Sequence, residues 1–309
     1  MVLDKFFERL NKIYSQNDVK IAMEGFNGER ITSFRVNTIK SNNEEIEEFL
    51  NLNNIEFKKN DFLENTYILD KKDEFFIKGS PIFYDGKIYL QGIASLIPAT
   101  ILNPISGDKV LDVTASPGSK TTQICAMMKN KGEIIACEKN QIRFDKLNYN
   151  LNIQGCNIAE SIKMDSINLK DKFKNGYFNK ILFDAPCSAE GRINLKNEKS
   201  YGFWTEKNIL DKQKLQLDIF ESIVPLLASG GEIVYSTCTL APEENEEVVN
   251  IICEKYSLVI EEISLDFEYT RNGLTEFNSK KYSKDLSKTL RILPSKISEG
   301  FFIAKLRKI

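Results

Sequence analysis

Two of the six cysteines stand where a thiol can do chemistry. Cys187, in ILFDAPCSAEG, and Cys238, in GEIVYSTCTLAPEENE, each follow an apolar run that reads as a buried strand. A thiolate adds readily to an electron-poor ring carbon, and a second thiol within reach can release the protein once the new bond is made. The pair points to covalent chemistry on a base. Cys125, Cys137, Cys156 and Cys253 lack this setting and are expected to be packing, because free cysteine is among the most buried residue types.

The 309 residues contain no histidine. This removes the commonest general base and the commonest metal ligand together, and with them the Ser-His-Asp and Cys-His hydrolases. The cysteines form no CxxC pair, so neither a zinc site nor a disulfide framework is expected, and no metal is predicted. A nucleophile here must be activated by a carboxylate, a lysine, the local field or water. The start, MVLDKFFERL, has no basic segment ahead of a long apolar one, and no apolar run approaches membrane-spanning length. A reducing, cytoplasmic setting and no membrane partner are therefore expected.

Elements that could position the thiols follow from the pattern. From about residue 108, short apolar runs alternate with longer helical stretches: KVLDV, GEIIACE, ESIKMD, KILFDAP and GEIVYSTCT are the strands. Helices are predicted between them, near 205–228 and again near 242–255, where Pro242 is placed at the first helical position. Such alternation predicts a parallel sheet with crossovers, a Rossmann-like α/β domain over residues 85–309. EGFFIAKLRK reads as its last strand. Residues 1–80 read as a small α+β domain. It has a helix near 2–14, a strand in ITSFRVNTI, a helix near 43–53 behind Ser41 and Asn42, and strands at IEFKK and TYIL.

The turn after the first strand of the large domain, DVTASPGSKTT, brings small residues and Gly118 to a helix start, a geometry suited to a polar or anionic ligand. It lacks both GxxxxGK[ST] and GxGxxG. Glu138 ends the next strand 20 residues after Gly118, a spacing at which an acid bonds ribose hydroxyls. Asp112, Glu138, Asp165 and Asp184 each end, or adjoin the end of, successive strands. Four acids along one sheet edge predict a site for a polar, nucleotide-like cofactor.

Taken together these motifs resemble the RNA 5-methylcytosine methyltransferases, in their bacterial ribosomal and eukaryotic nucleolar branch. The segments concerned are FRVN at 34–37, YLQGIASLIPA at 89–99, VLDVTASPGSKTTQI at 110–124, DAPCSAEG at 184–191, STCTLAPEENE at 236–246 and GFFIAKL at 300–306. The resemblance implies a class I S-adenosylmethionine-dependent methyltransferase fold. It implies that Thr114, Ala115, Ser116, Pro117, Gly118, Ser119 and Lys120 cradle the methionine part of S-adenosylmethionine, that Glu138 takes the ribose, and that Asp165 lies beside the adenine. Asp184 is then shared between cofactor and cytosine, and Arg143 is a further cofactor-side contact. Cys238 is the implied nucleophile toward cytosine C6, and Cys187 the residue that helps release the product. Lys120 is a candidate to lower a thiol pKa. The loop departs from the commoner CAAPGGK at Thr114, Ser116 and Ser119, while Pro117, Gly118 and Lys120 remain.

Ribosomal RNA is the expected substrate. Transfer RNA is the alternative, and a non-catalytic RNA-binding assembly factor is a further one. Residues 1–80 carry 12 basic and 15 acidic side chains, so docking there cannot be simple charge attraction. Residues 268–309 carry ten basic and four acidic ones and are the expected phosphate-binding stretch. Phe34, Phe75, Phe76 and Tyr84 could stack on bases, but a core role is the default expectation for each.

Overall fold

A computed structural model describes residues 2–309. Two helices open the chain, α1 (Val2–Ile13) and α2 (Gln16–Asn27), followed by β1 (Thr32–Val36), α3 (Asn43–Leu52), β2 (Phe57–Lys59), β3 (Thr66–Leu69), α4 (Glu74–Lys78), α5 (Pro81–Tyr84) and β4 (Ile88–Leu90). The strands form an antiparallel sheet in the order β2-β3-β1-β4. The cap expected before the third helix is present, since the Asn42 side chain accepts from the Glu45 N–H.

The large domain runs α6 (Ile93–Leu102), β5 (Lys109–Asp112), α7 (Ser119–Met127), β6 (Glu133–Glu138), α8 (Gln141–Gln154), β7 (Ala159–Lys163), β8 (Phe178–Asp184), α9 (Glu206–Ile223), β9 (Leu227–Thr237) and α10 (Glu246–Lys255). It ends with β10 (Leu258–Glu261), β11 (Thr270–Asn272), a hairpin of β12 (Glu276–Phe277) and β13 (Lys280–Lys281), then β14 (Leu290–Ile292) and β15 (Phe301–Lys308). The central sheet follows the order β11-β14-β15-β9-β8-β5-β6-β7. Strands β5 to β9 are mutually parallel, and β15 runs antiparallel beside β9.

Alternation along each inner strand divides the core. Leu111, Phe183 and Tyr235 pack on one face with Phe220 of α9 and Val249 of α10. Their neighbours Val110, Leu182 and Val234 pack on the other with Ile97 of α6 and Ile124 of α7. Both faces are covered, which is why these strands read as continuous apolar runs.

Several boundaries differ from the sequence reading. The small sheet takes its fourth strand from residues 88–90, past the expected division at 80–85, because β4 pairs with β1. Helix α2 was not anticipated; Ser15 caps it, and its Phe26 joins Phe6 of α1 and Trp204 of the large domain in one cluster. Helix α9 stops at Ile223, and Leu227 already begins β9. Pro242 lies in a turn rather than at the first helical position; α10 starts at Glu246 because the Asn245 side chain is drawn inward, onto the Thr239 carbonyl and Thr237 Oγ1.

Candidate active site

A cavity of ≈ 960 Å³ lies at the carboxyl ends of the parallel strands. It is lined by every predicted site residue except Gly118, and by Asp112. Gly118 instead turns the chain beneath it at φ +102°, a left-handed conformation that suits glycine, and starts α7.

On one side, every acid has a partner. Glu138 accepts from the Asn140 N–H at 2.8 Å and pairs with Arg143 Nε at 3.0 Å. Arg143 Nη2 donates to the Ser116 carbonyl at 2.9 Å, and Ser116 Oγ donates to the Arg143 carbonyl at 2.7 Å. Arg143 is thus a brace joining α8 to the 114–120 loop. Asn150 Nδ2 donates to the Pro117 carbonyl, a second tie from the same helix. Asp165 accepts from the Ile167 N–H and pairs with Lys139 at 3.2 Å. Asp112 is buried under the loop, accepts from Thr121 Oγ1 at 2.7 Å, and is pushed up to about 6 by burial.

Asp184, at the end of β8, sits at the centre. Lys120 Nζ donates to its Oδ2 at 2.7 Å, Ser236 Oγ of β9 donates to its Oδ1 at 2.7 Å, and Thr114 Oγ1 donates to its backbone carbonyl. Lys120 also donates to Ser95 Oγ at 2.9 Å. The Gln91 amide holds the Ser95 carbonyl, and its Oε1 accepts from Arg35 Nε of β1. A relay thus runs from the small sheet to Asp184. Ser236, Ser95 and Gln91 were not singled out from sequence, although all three lie inside motifs that carried the resemblance.

On the other side, adjacency of β8 and β9 brings the two thiols together, with Sγ atoms of Cys187 and Cys238 3.3 Å apart. The Gly191 N–H donates to the Cys238 carbonyl and the Gly300 N–H to that of Gly191. A Cβ at Gly191 would lie 2.0 Å from the Gly300 oxygen, so this crossing admits only glycine. Behind the thiols, Ser188 Oγ shares a hydrogen bond with Thr239 Oγ1 at 2.7 Å and donates to buried Glu244. Glu244 also accepts from the Ser188 N–H and from Gln216 Nε2 of α9. Burial pushes Glu244 up to about 7, and raises buried Glu190, which accepts from Trp204 Nε1. Cys187 is held well above the usual thiol range, first by its hydrogen bond to Cys238 and then by burial. Lys120 is committed to Asp184 and Ser95; the cations whose charge interacts with Cys238 are Arg30 and Arg192.

The expected phosphate-binding stretch is largely paired within the chain. Arg291 is buried against Glu246, Arg271 meets Asp18, and Lys305 and Arg307 share Glu232 and Glu261. No helix among the described residues is long and apolar enough to cross a membrane, and no cluster of metal-ligating side chains occurs among them.

Five parallel strands extended beyond β9 by the antiparallel-paired β15, β14 and β11, an acid-lined cavity at the carboxyl edge and a small-residue loop opening α7 define a Rossmann-like S-adenosylmethionine-dependent methyltransferase. The family profile described as 16S rRNA methyltransferase RsmB/F matches residues 99–307. The chain belongs to this family of RNA cytosine-C5 methyltransferases. It is 35% identical over 284 residues to a tRNA (cytosine(49)-C(5))-methyltransferase of Pyrococcus abyssi, covering 89% of this chain and 88% of that one. It is 38% identical over 232 residues to the ribosomal RNA small subunit methyltransferase F of Vibrio parahaemolyticus, covering 72% of this chain but only 45% of that relative. Among solved structures, NSun6 from Pyrococcus horikoshii with SFG superposes with a TM-score of 0.81 at 25% identity over 97% of each chain.

S-adenosylmethionine is the cofactor, and the residues present fit it. The cavity volume lies in the range of about 300–1,000 Å³ usual for ligand sites. Its carboxylates keep free lone pairs for hydroxyl and amino groups, and Glu138, Asp165 and the 114–120 loop lie along one wall of strand ends.

Proposed function

We propose that this protein methylates C5 of a cytosine in ribosomal RNA, through a transient bond between Cys238 Sγ and cytosine C6. The observation that carries this reading is the 3.3 Å contact of the two thiols in the cavity that also holds Asp184. Bound S-adenosylmethionine supplies an electrophilic methyl group, held by the 114–120 loop, Glu138, Asp165 and Arg143. Cytosine C5 is a weak nucleophile until C6 is attacked. Cys238 adds as thiolate, and the displaced electron pair gives C5 enamine character. Asp184, fixed by Lys120 and Ser236, accepts from the exocyclic amine of the base and so orients the ring for attack.

Cys187 completes the cycle. While Cys238 is free, the hydrogen bond between the thiols keeps the Cys187 proton in place. Once Cys238 Sγ is bonded to carbon its charge no longer opposes ionisation of Cys187, whose proton must pass to water against the burial that still holds the thiol up. The Cys187 thiolate then takes the C5 proton, the C5–H pair re-forms the C5–C6 double bond, and the C6–S bond breaks with its pair returning to Cys238. One proton is released per methyl transferred, and the thiol pair returns to its starting state.

A second reading, transfer RNA, is favoured by the near end-to-end match to the tRNA enzyme, whereas the chain spans about half the length of the rRNA relative. The mechanism is tested by incubating Cys187→Ala and Cys238→Ala proteins with cellular RNA and cofactor. Cys187→Ala should form an RNA adduct that survives denaturation, and Cys238→Ala none. Trapping by Cys238→Ala alone would reverse the two roles. Absence of methyl transfer by the intact protein to any RNA would favour an assembly factor. Bisulfite sequencing of both RNA classes from cells with and without the gene separates ribosomal from transfer RNA.

A further inference from the structure

A second cavity, of ≈ 610 Å³, opens between β4, α5 and α8. It adjoins the first, since Tyr89, Leu90, Gln91, Gly92 and Arg192 line both. Two tyrosines from different elements frame it: Tyr84 at the end of α5 is 63% exposed and Tyr149 on α8 is 62% exposed. Neither phenol makes a hydrogen bond among the described residues. Phe75 of the neighbouring α4 is 89% exposed. Single exposed rings need no explanation, but several around one groove mark a binding surface. Lys71 and Lys78 stand on one wall with Glu74 between them, bonded to both, and Arg192 stands where the cavities meet. The groove's lining thus carries three cations and one carboxylate, Arg192 being paired in turn with Glu299 outside it.

We propose that this groove seats the single-stranded RNA next to the target cytosine, with bases stacked on Tyr84 and Tyr149 and phosphates beside Lys71, Lys78 and Arg192. The proposal rests on the RNA reading above. Ring faces with scattered cations, beside a catalytic cavity, match how unpaired nucleotides are held. A cytosine must leave its stack to reach Cys238, so its neighbours are splayed and need surfaces of their own. Helix α8 carries Tyr149 and also braces the cofactor loop through Arg143 and Asn150, which ties the groove to the methyl-donor side.

A short single-stranded RNA with one cytosine flanked by 4-thiouridine tests this. Its affinity for Tyr84→Ala/Tyr149→Ala should fall by about tenfold or more, while Tyr84→Phe/Tyr149→Phe, which keeps both rings, should bind like the wild type. Lys71→Ala/Lys78→Ala should flatten the salt dependence of binding. Photocrosslinks should map to α5 and α8. Unchanged affinity of the alanine variant, or crosslinks confined to other surfaces, would overturn the groove and leave a peptide or another ligand as its occupant. If instead the wild type binds and crosslinks in the groove but never transfers a methyl group to RNA, the methyltransferase reading falls and the groove stands.

Discussion

The two halves of the cavity are built on different electrostatic plans. On the cofactor side three acids meet cations, Glu138 with Arg143, Asp165 with Lys139 and Asp184 with Lys120, while Asp112 under the loop is held by the neutral Thr121 hydroxyl. On the thiol side the buried carboxyls Glu190 and Glu244 are held by neutral donors, Trp204, Ser188 and Gln216. Paired charges resist titration, whereas a buried acid held by neutral groups shifts toward neutrality. Behind the thiols two carboxyls are thus raised by burial, Glu244 to about 7 and Glu190, whereas under the loop only Asp112 is, to about 6.

The hardest test of this contrast is removal of the proposed nucleophile. Cys238→Ala should lower kcat by about 10⁴-fold or more while leaving cofactor affinity unchanged, as measured by single-turnover methylation beside calorimetry with S-adenosylhomocysteine. Lys120→Ala comes next: it frees Asp184 from its anchor and should cost about 10²-fold in kcat/KM, because Asp184 spans both halves.

Glu244→Gln probes the thiol side alone. The folded carboxyl, at about 7, lies above its ordinary 4.5, so its contribution to stability is complete below that ordinary value and is lost as pH rises toward 7. The loss should be roughly 3 kcal/mol between those limits, seen by urea unfolding at acid and mildly alkaline pH, and it should largely vanish in Glu244→Gln. A dependence that survives in the variant would assign it to Glu190 or Asp112. The smallest effect is expected for the half-exposed Arg143: Arg143→Ala should raise KM for the cofactor by about threefold with little change in the pH profile.

Much of this was legible in the sequence because the informative residues sit at strand ends. Apolar runs bounded by Asp112, Glu138 and Asp184 fix where the inner strands stop, and a doubly wound sheet places those ends in a row. Cys187 and Cys238 could be expected side by side for the same reason. The supporting contacts were not legible. Glu244 and Gln216 look like solvated positions on charged helices until α9 and α10 dock, and Gln213, which interrupts the apolar face of α9, turns out to donate to the Glu243 carbonyl. Lysine and arginine density in residues 268–309 suggested a phosphate surface, yet the matching acids lie far off in sequence, as with Arg271 and Asp18. Among the four aromatics considered for stacking, Phe34 is core whereas Phe75, Phe76 and Tyr84 are exposed. Composition cannot distinguish these cases, because a ring on a short helix is buried only if something covers it.

The relay from Arg35 through Gln91 and Ser95 to Lys120 has a consequence for anyone recombining parts of such enzymes. The first ninety residues are not a detachable adaptor. A chimera that grafts a foreign leading segment onto this sheet would strip Gln91 of its guanidinium partner and loosen the lysine that steadies the central acid, so transplants should carry β1, β4 and α6 as one block.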